Sequence, residues 1–137
     1  MLTYEEILAS IAMWEKIIAV YEGMEKKVLI GTRYHLEGKY CAIGALVPDL
    51  AEAEPDQSEV IKDKQNLLDA LEKRYGLNLR EAQDLQMIND DPSDWPSYKK
   101  YPNRYDRVLA FCKNQLAAAK VSQQSHSGYL TDPNRPR

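Results

Sequence analysis

Cys41 is the residue of this chain whose type and setting best suit chemistry. It stands in Gly38-Lys39-Tyr40-Cys41-Ala42-Ile43-Gly44-Ala45-Leu46, where a Glu-Gly turn signal leads into small and apolar residues. A thiolate at a helix start is stabilised by the amide dipoles, and Lys39 adds to this. A hairpin would bring His35 close enough to serve as base, and Asn89 or Asp90 could orient that histidine. The result would be a Cys-His-Asn/Asp arrangement, as in a cysteine-dependent enzyme acting on a peptide or amide. The competing reading makes Cys41 a small buried residue, with Gly44 and Ala45 allowing close helix contact. No spacing ties the three residues together, so the second reading is preferred.

Asn89-Asp90-Asp91 is the next cluster. Grouped carboxylates can hold calcium or magnesium, but the spacing of a calcium loop and its closing glutamate are absent. Side chains that bond nearby backbone amides, stop a helix and shape a turn ahead of Pro92 account for the cluster more simply. Two cysteines and two histidines, none at ligand spacing, argue against zinc. No glycine-rich phosphate loop or serine-nucleophile elbow occurs. The expectation is no cofactor and no metal.

The third group is Trp95-Pro96-Ser97-Tyr98-Lys99-Lys100-Tyr101-Pro102-Asn103-Arg104-Tyr105. It interleaves aromatics with Lys99, Lys100 and Arg104, and Arg107 lies just beyond. Such a mixture can stack bases and neutralise phosphates. It equally suits a protein contact, where Trp, Tyr and Arg are enriched. The bland alternative folds the aromatics back over the core and leaves the lysines solvated. The net charge of −3 fits a protein partner better than nucleic acid.

The elements that must position these residues are mainly helical. Thr3-Tyr4-Glu5-Glu6 is a capping box, and Ile7, Ile11, Trp14, Ile18 and Tyr21 then recur at helical spacing. Val28 to Tyr40, broken by Gly31 and Gly38, predicts a short hairpin or irregular turn near residues 33–42. Cys41 to Val47 predicts a short helix, ended before Pro48. Asp49 to Ser58 is acidic and reads as an exposed connection. A helix from about Ser58 to Tyr75 follows, with Gly76 as its left-handed cap and Leu77 folding back. Asn78 and Glu81 form a second capping box for a helix carrying Ala82, Leu85 and Ile88. Asn89 to Asn103 is a long connection, of a kind that is often functional. Asn103 can cap a last helix bearing Val108, Leu109, Phe111, Cys112 and Leu116. From Val121 the apolar signal fails. The division is one helical domain over residues 1–120 and a mobile polar tail over 121–137. The expected architecture is a bundle of four to five helices around Trp14, Ile18, Leu46, Leu67, Leu71, Leu85, Leu109 and Phe111.

Length and composition fit one soluble globular domain: 137 residues, 44% hydrophobic and 28% charged. No apolar run reaches the roughly 18 residues needed to span a bilayer. Met1 to Glu6 does not read as a secretory signal, so a cytoplasmic setting without a disulfide is expected.

The turn Leu36-Glu37-Gly38-Lys39-Tyr40, the segment Cys41-Ala42-Ile43-Gly44-Ala45-Leu46, the helix pair, Ile88-Asn89-Asp90 and the final helix from Tyr105-Asp106-Arg107-Val108-Leu109 together form a pattern. It resembles a group of small, mostly helical proteins of bacteria and their phages. These share a Cys-x-x-Gly-Ala-Leu segment and a later Asn-Asp before the last helix, and many are of unknown function. The resemblance spans residues 28–116. The Trp/Tyr-rich insertion after Asn89-Asp90 departs from the group's pattern. The resemblance implies a helical fold and a bacterial or phage setting, and it carries no activity. The functional expectation is a non-enzymatic protein-interaction module contacting a host or phage protein through Trp95, Tyr98, Lys99, Lys100, Tyr101 and Arg104. The alternative is an enzyme with Cys41 as nucleophile, assisted by His35 and Asn89 or Asp90.

Overall fold

The computed structural model describes residues 2–90 and 101–131, with side chains as far as residue 125. Helix α1 spans Tyr4–Glu22. Its start is the expected capping box: Glu6 N–H donates to Thr3 Oγ1 at 3.1 Å, and Thr3 N–H donates to the Glu6 carboxylate at 3.3 Å. Ile7, Ile11, Trp14, Ile18 and Tyr21 are buried on one face, with Met13 and Ile17 widening it. Lys27 then donates to the Glu22 and Met24 carbonyls beyond the helix end, where a cation is favoured.

Strands β1 (His35–Leu36) and β2 (Lys39–Tyr40) form a two-stranded antiparallel hairpin. Its turn residues, Glu37 and Gly38, both take positive φ (51° and 77°). Two left-handed residues match the twist of a tight hairpin.

Helix α2 is Ala42–Leu46 and α3 is Pro48–Ala53. The second of these corrects the sequence reading, which placed an exposed connection from Asp49. Pro48 is the first residue of α3, where its missing N–H costs nothing. Ala51 is buried beneath it. The helix expected from Ser58 is also later and broken. A 3-10 turn covers Ile61–Asp63, the backbone leaves helical geometry at Lys64 (φ −109°, ψ 75°), and α4 runs Gln65–Tyr75. At that break the Lys64 ammonium turns inward onto Glu54 and Glu59.

Gly76 ends α4 at φ 85°, and Leu77 N–H returns to the Leu71 carbonyl at 3.3 Å. Helix α5 covers Leu79–Asp90 and opens on the Asn78/Glu81 capping box. Helix α6, Arg104–Thr131, is capped by Asn103, whose Oδ1 accepts from Asp106 N–H at 3.2 Å. The sequence reading ended the helical domain at residue 120 and placed a mobile polar tail over 121–137, where the apolar signal fails. The helix instead continues through that polar stretch to Thr131.

The fold is therefore mainly α-helical, with a single small hairpin among the described residues. Helices α1 and α6 lie antiparallel. Tyr105 Oη, at the start of α6, donates to the Tyr21 carbonyl near the end of α1 (2.9 Å), and Trp14 meets Phe111 edge-on at 6.0 Å. Helices α2 to α5 complete the core, which includes Leu46, Leu67, Leu71 and Leu85 as expected. Leu109 and Phe111 are only partly buried. Val108 and Cys112, one helical turn apart, take the fully buried places instead.

Candidate functional site

Cys41 is the N-cap of α2. Its backbone is extended (φ −77°, ψ 179°), and its Sγ accepts from Gly44 N–H at 3.3 Å. The helix starts where the thiol was expected to gain from amide dipoles. The side chain is nevertheless only 5% exposed. Burial pushes the thiol up to about 12, and the Gly44 N–H bond only partly opposes this. Desolvation outweighs a five-residue helix, so the sulfur keeps its proton at neutral pH.

His35 is engaged within the hairpin. Its Nε2 accepts from Gly38 N–H across the turn at 3.1 Å, and its ring tilts against Tyr40 at 5.1 Å. Asn89 does reach the neighbourhood of Cys41. Its Oδ1 accepts from the N–H of Ala42 at 3.1 Å, and its Nδ2 donates to the Ile30 carbonyl at 2.8 Å. The fully buried amide thereby joins the start of α2 to the strand-like segment before the hairpin. Asp90 accepts from Asn89 Nδ2 and, at 3.4 Å, from Thr32 N–H. Thr32 is β-branched and held at φ 66°, a conformation that costs on the order of 1–3 kcal/mol and persists only where its surroundings impose it. The structure thus brings Cys41, Asn89 and Asp90 to one junction and leaves His35 on the hairpin. Asn89 bonds the backbone at Ala42 and Ile30, and Asp90 bonds the Asn89 amide and the backbone at Thr32. No group of three acidic, histidine or cysteine side chains suited to a metal occurs among the described residues.

Cys41 lies on the wall of a cleft of about 710 Å³. Tyr34, Ile61, Gln86, Met87 and Asp90 share the lining. Tyr34 Oη donates to the Glu59 carbonyl at 2.6 Å, and Ile61 N–H donates to Gln86 Oε1 at 3.2 Å. Burial pushes the Tyr34 phenol up to about 12 as well.

The second concentration of polar contacts is at the C-terminus of α5, where the sequence reading expected Asn89 and Asp90 to shape a turn and assigned Arg104 to a partner contact. Arg107 is 2% exposed. Its Nε donates to the Ile88 carbonyl (2.8 Å), its Nη1 to those of Tyr101 (3.1 Å) and Pro102 (3.0 Å), and its Nη2 to that of Asn89 (3.4 Å). Arg104 Nε donates to the same Asn89 carbonyl at 2.7 Å, and its guanidinium lies over Gly31. A Cβ at Gly31 would stand 2.7 Å from that guanidinium. Cations in the first turn of α6 are disfavoured by its own dipole. That anomaly was visible in the sequence and pointed to a partner elsewhere, here the carbonyl end of α5. Of the residues expected to contact a partner, Tyr101 is half-buried and Arg104 is engaged as described. Trp95, Tyr98, Lys99 and Lys100 lie outside the described residues.

No family model, curated protein or solved structure matches this chain. No helix among the described residues is long and apolar enough to cross a membrane.

The buried thiols set a pH dependence. Burial also pushes Cys112 up to about 12. A thiol is neutral when protonated, so a raised value means that the folded state holds the proton more tightly than the unfolded chain. The stabilisation is complete below the unfolded value of about 8.5 and is lost as pH rises toward the folded one. Urea midpoints should therefore fall steadily between pH 9 and 12, and Tyr34 adds to the upper part of that range. A C41A/C112A variant should show a flatter profile at the lower end. An unchanged profile would mean that the thiols are solvated.

Proposed function

We propose that this protein is a non-enzymatic protein-binding module, of bacterial or phage origin and acting in the cytoplasm. Its contact surface is the segment that follows Asp90 and leads to Arg104. The observation that carries this reading is the use of a buried arginine at the base of that segment. Arg107 ties the carbonyls of Ile88 and Asn89 before it to those of Tyr101 and Pro102 after it. Fixing both ends of a connection lowers the entropy lost when the connection binds. The residues between carry Trp95 and Tyr98, side chains enriched at the centres of protein contacts, with Lys99 and Lys100 beside them. The overall acidic charge favours a protein over nucleic acid, and the resemblance to bacterial and phage proteins favours a host or phage protein. A Cys41 nucleophile draws no support from a protonated thiol whose histidine belongs to the hairpin.

Affinity capture with wild type beside a W95A/Y98A variant tests the proposal. The variant should lose the partners that wild type retains, with an unchanged urea midpoint. Equal capture by both baits would move the contact elsewhere on the surface. Loss of the partners on nuclease treatment would favour nucleic acid.

A further inference from the structure

The segment Glu54–Val60 is built differently from everything around it. None of its apolar side chains is buried, although the Glu54 carboxylate is covered by Lys64, whereas Ala51 before it and Ile61 after it both belong to the core. Some of its bonds are internal: Gln57 Nε2 donates to the Glu54 carbonyl at 2.7 Å, and Ser58 donates from N–H and Oγ to Asp56, while Gln57 Nε2 also donates to the Ala51 carbonyl of α3 at 2.7 Å. Its ties to the rest of the molecule are polar. Lys64 Nζ contacts Glu54 at 2.7 Å and Glu59 at 2.9 Å; Tyr34 Oη holds the Glu59 carbonyl; and His35 N–H holds Gln57 Oε1 at 2.8 Å. Lys64 itself is 5% exposed. Gln57, Ser58, Glu59 and Val60 form one wall of the cleft that Cys41 lines.

We propose that Glu54–Val60 is a strap latched by Lys64 over the Cys41 cleft, and that it opens as a unit while the α1/α6 core stays folded. A segment that buries little apolar surface is among the first to open locally. Its internal bonds let it move without unravelling. Its ends offer hinges, because Glu54 and Val60 both have extended backbone at the edges of helical elements. Lys64 supplies both ion pairs of the strap among the described residues, so its loss weakens the latch most, although the bonds from Tyr34, His35 and Asn66 remain.

The two buried thiols report on this without added probes. Cys41 sits at the cleft, and Cys112 is fully buried in the core that includes α1 and α6. In the native protein at pH 8, alkylation by iodoacetamide followed by peptide mapping should label Cys41 at least about tenfold faster than Cys112, because local opening is more frequent than global unfolding. Lys64→Met should raise the Cys41 rate by a further factor of about ten while Cys112 changes little, since a tenfold change corresponds to the loss of one modest contact. Glu59→Gln keeps the shape and removes only one partner of the latch. It should show the same selectivity at smaller size, and it decides the matter if the Lys64 variant does not fold. Equal labelling of the two thiols in wild type would overturn the strap. So would a proportional rise of both in the variants, which would mean that Cys41 is exposed only by global unfolding.

Discussion

Replacing Arg107 with leucine is expected to lower the unfolding free energy by roughly 1–3 kcal/mol, because the buried Ile88 carbonyl is orphaned and such an acceptor costs about that much. The side chain is 2% exposed and its guanidinium serves four carbonyls. The Asn89 carbonyl keeps Arg104 after the change. Those of Ile88, Tyr101 and Pro102 lose the guanidinium that reaches them. The loss is a large share of the roughly 5–15 kcal/mol that holds an ordinary domain together. Arg107→Lys should recover only part of it, since a single ammonium cannot reproduce a planar fork spread over carbonyls on both sides of the connection. Urea denaturation of the two variants checks this. A midpoint for Arg107→Leu within experimental error of wild type would mean that water takes over these carbonyls, and the base of the proposed contact segment would not depend on the arginine. Arg107→Lys also bears on binding. It should weaken partner capture beyond its effect on stability if fixed ends matter to the interaction.

Local rules made much of this fold legible. Thr3 with Glu6 and Asn78 with Glu81 each start a helix through paired bonds, and both pairs can be read from a four-residue window. Gly76 and Glu37-Gly38 are equally local, since each solves a backbone problem within its own turn. What stayed hidden depends on residues far apart in the chain. The acidic stretch after Pro48 looks like solvent-facing connection until Ala51 is seen to be buried. Lys64 stands on a helical stripe in the sequence, yet its ammonium finds Glu54 and Glu59 and the helix breaks there. Cys41 was placed correctly at a helix start, and the preferred reading of it as a small buried residue holds, while desolvation works against the alternative thiolate. A thiol's surroundings are a tertiary property, and spacing carries little of it. Arg107 shows the intermediate case: its misfit with the α6 dipole was readable, but the carbonyls that resolve the misfit were not.

The opposing tendencies at Gly44 make its substitution a decisive measurement. On helix propensity alone, Gly44→Ala should stabilise α2 by about 1 kcal/mol. The structure reverses that sign. A Cβ at this position would overlap the carbonyl oxygen of Tyr34 and stand 3.3 Å from the Cβ of Ala51. The first of these neighbours is backbone, and it has little freedom to retreat. The Tyr34 carbonyl accepts from Cys41 N–H at 3.3 Å, the tyrosine ring is 1% exposed, and its hydroxyl is bonded to the Glu59 carbonyl. On the other side, α2 is held by Tyr21 Oη, which donates to the Ala42 carbonyl at 2.7 Å. Making room must therefore move either α2 off α1 or the hairpin off α2. Gly44→Ala is expected to destabilise by about 1–3 kcal/mol as overpacking does, and Gly44→Leu by more. Because Tyr34 also ties the strap through Glu59, Gly44→Ala should speed labelling of Cys41 more than labelling of Cys112. A raised urea midpoint for Gly44→Ala would show that propensity wins and that α2 and the hairpin do not approach as closely as described. A lowered midpoint with both thiols labelled in their original ratio would place the strain outside the strap and leave the close approach intact.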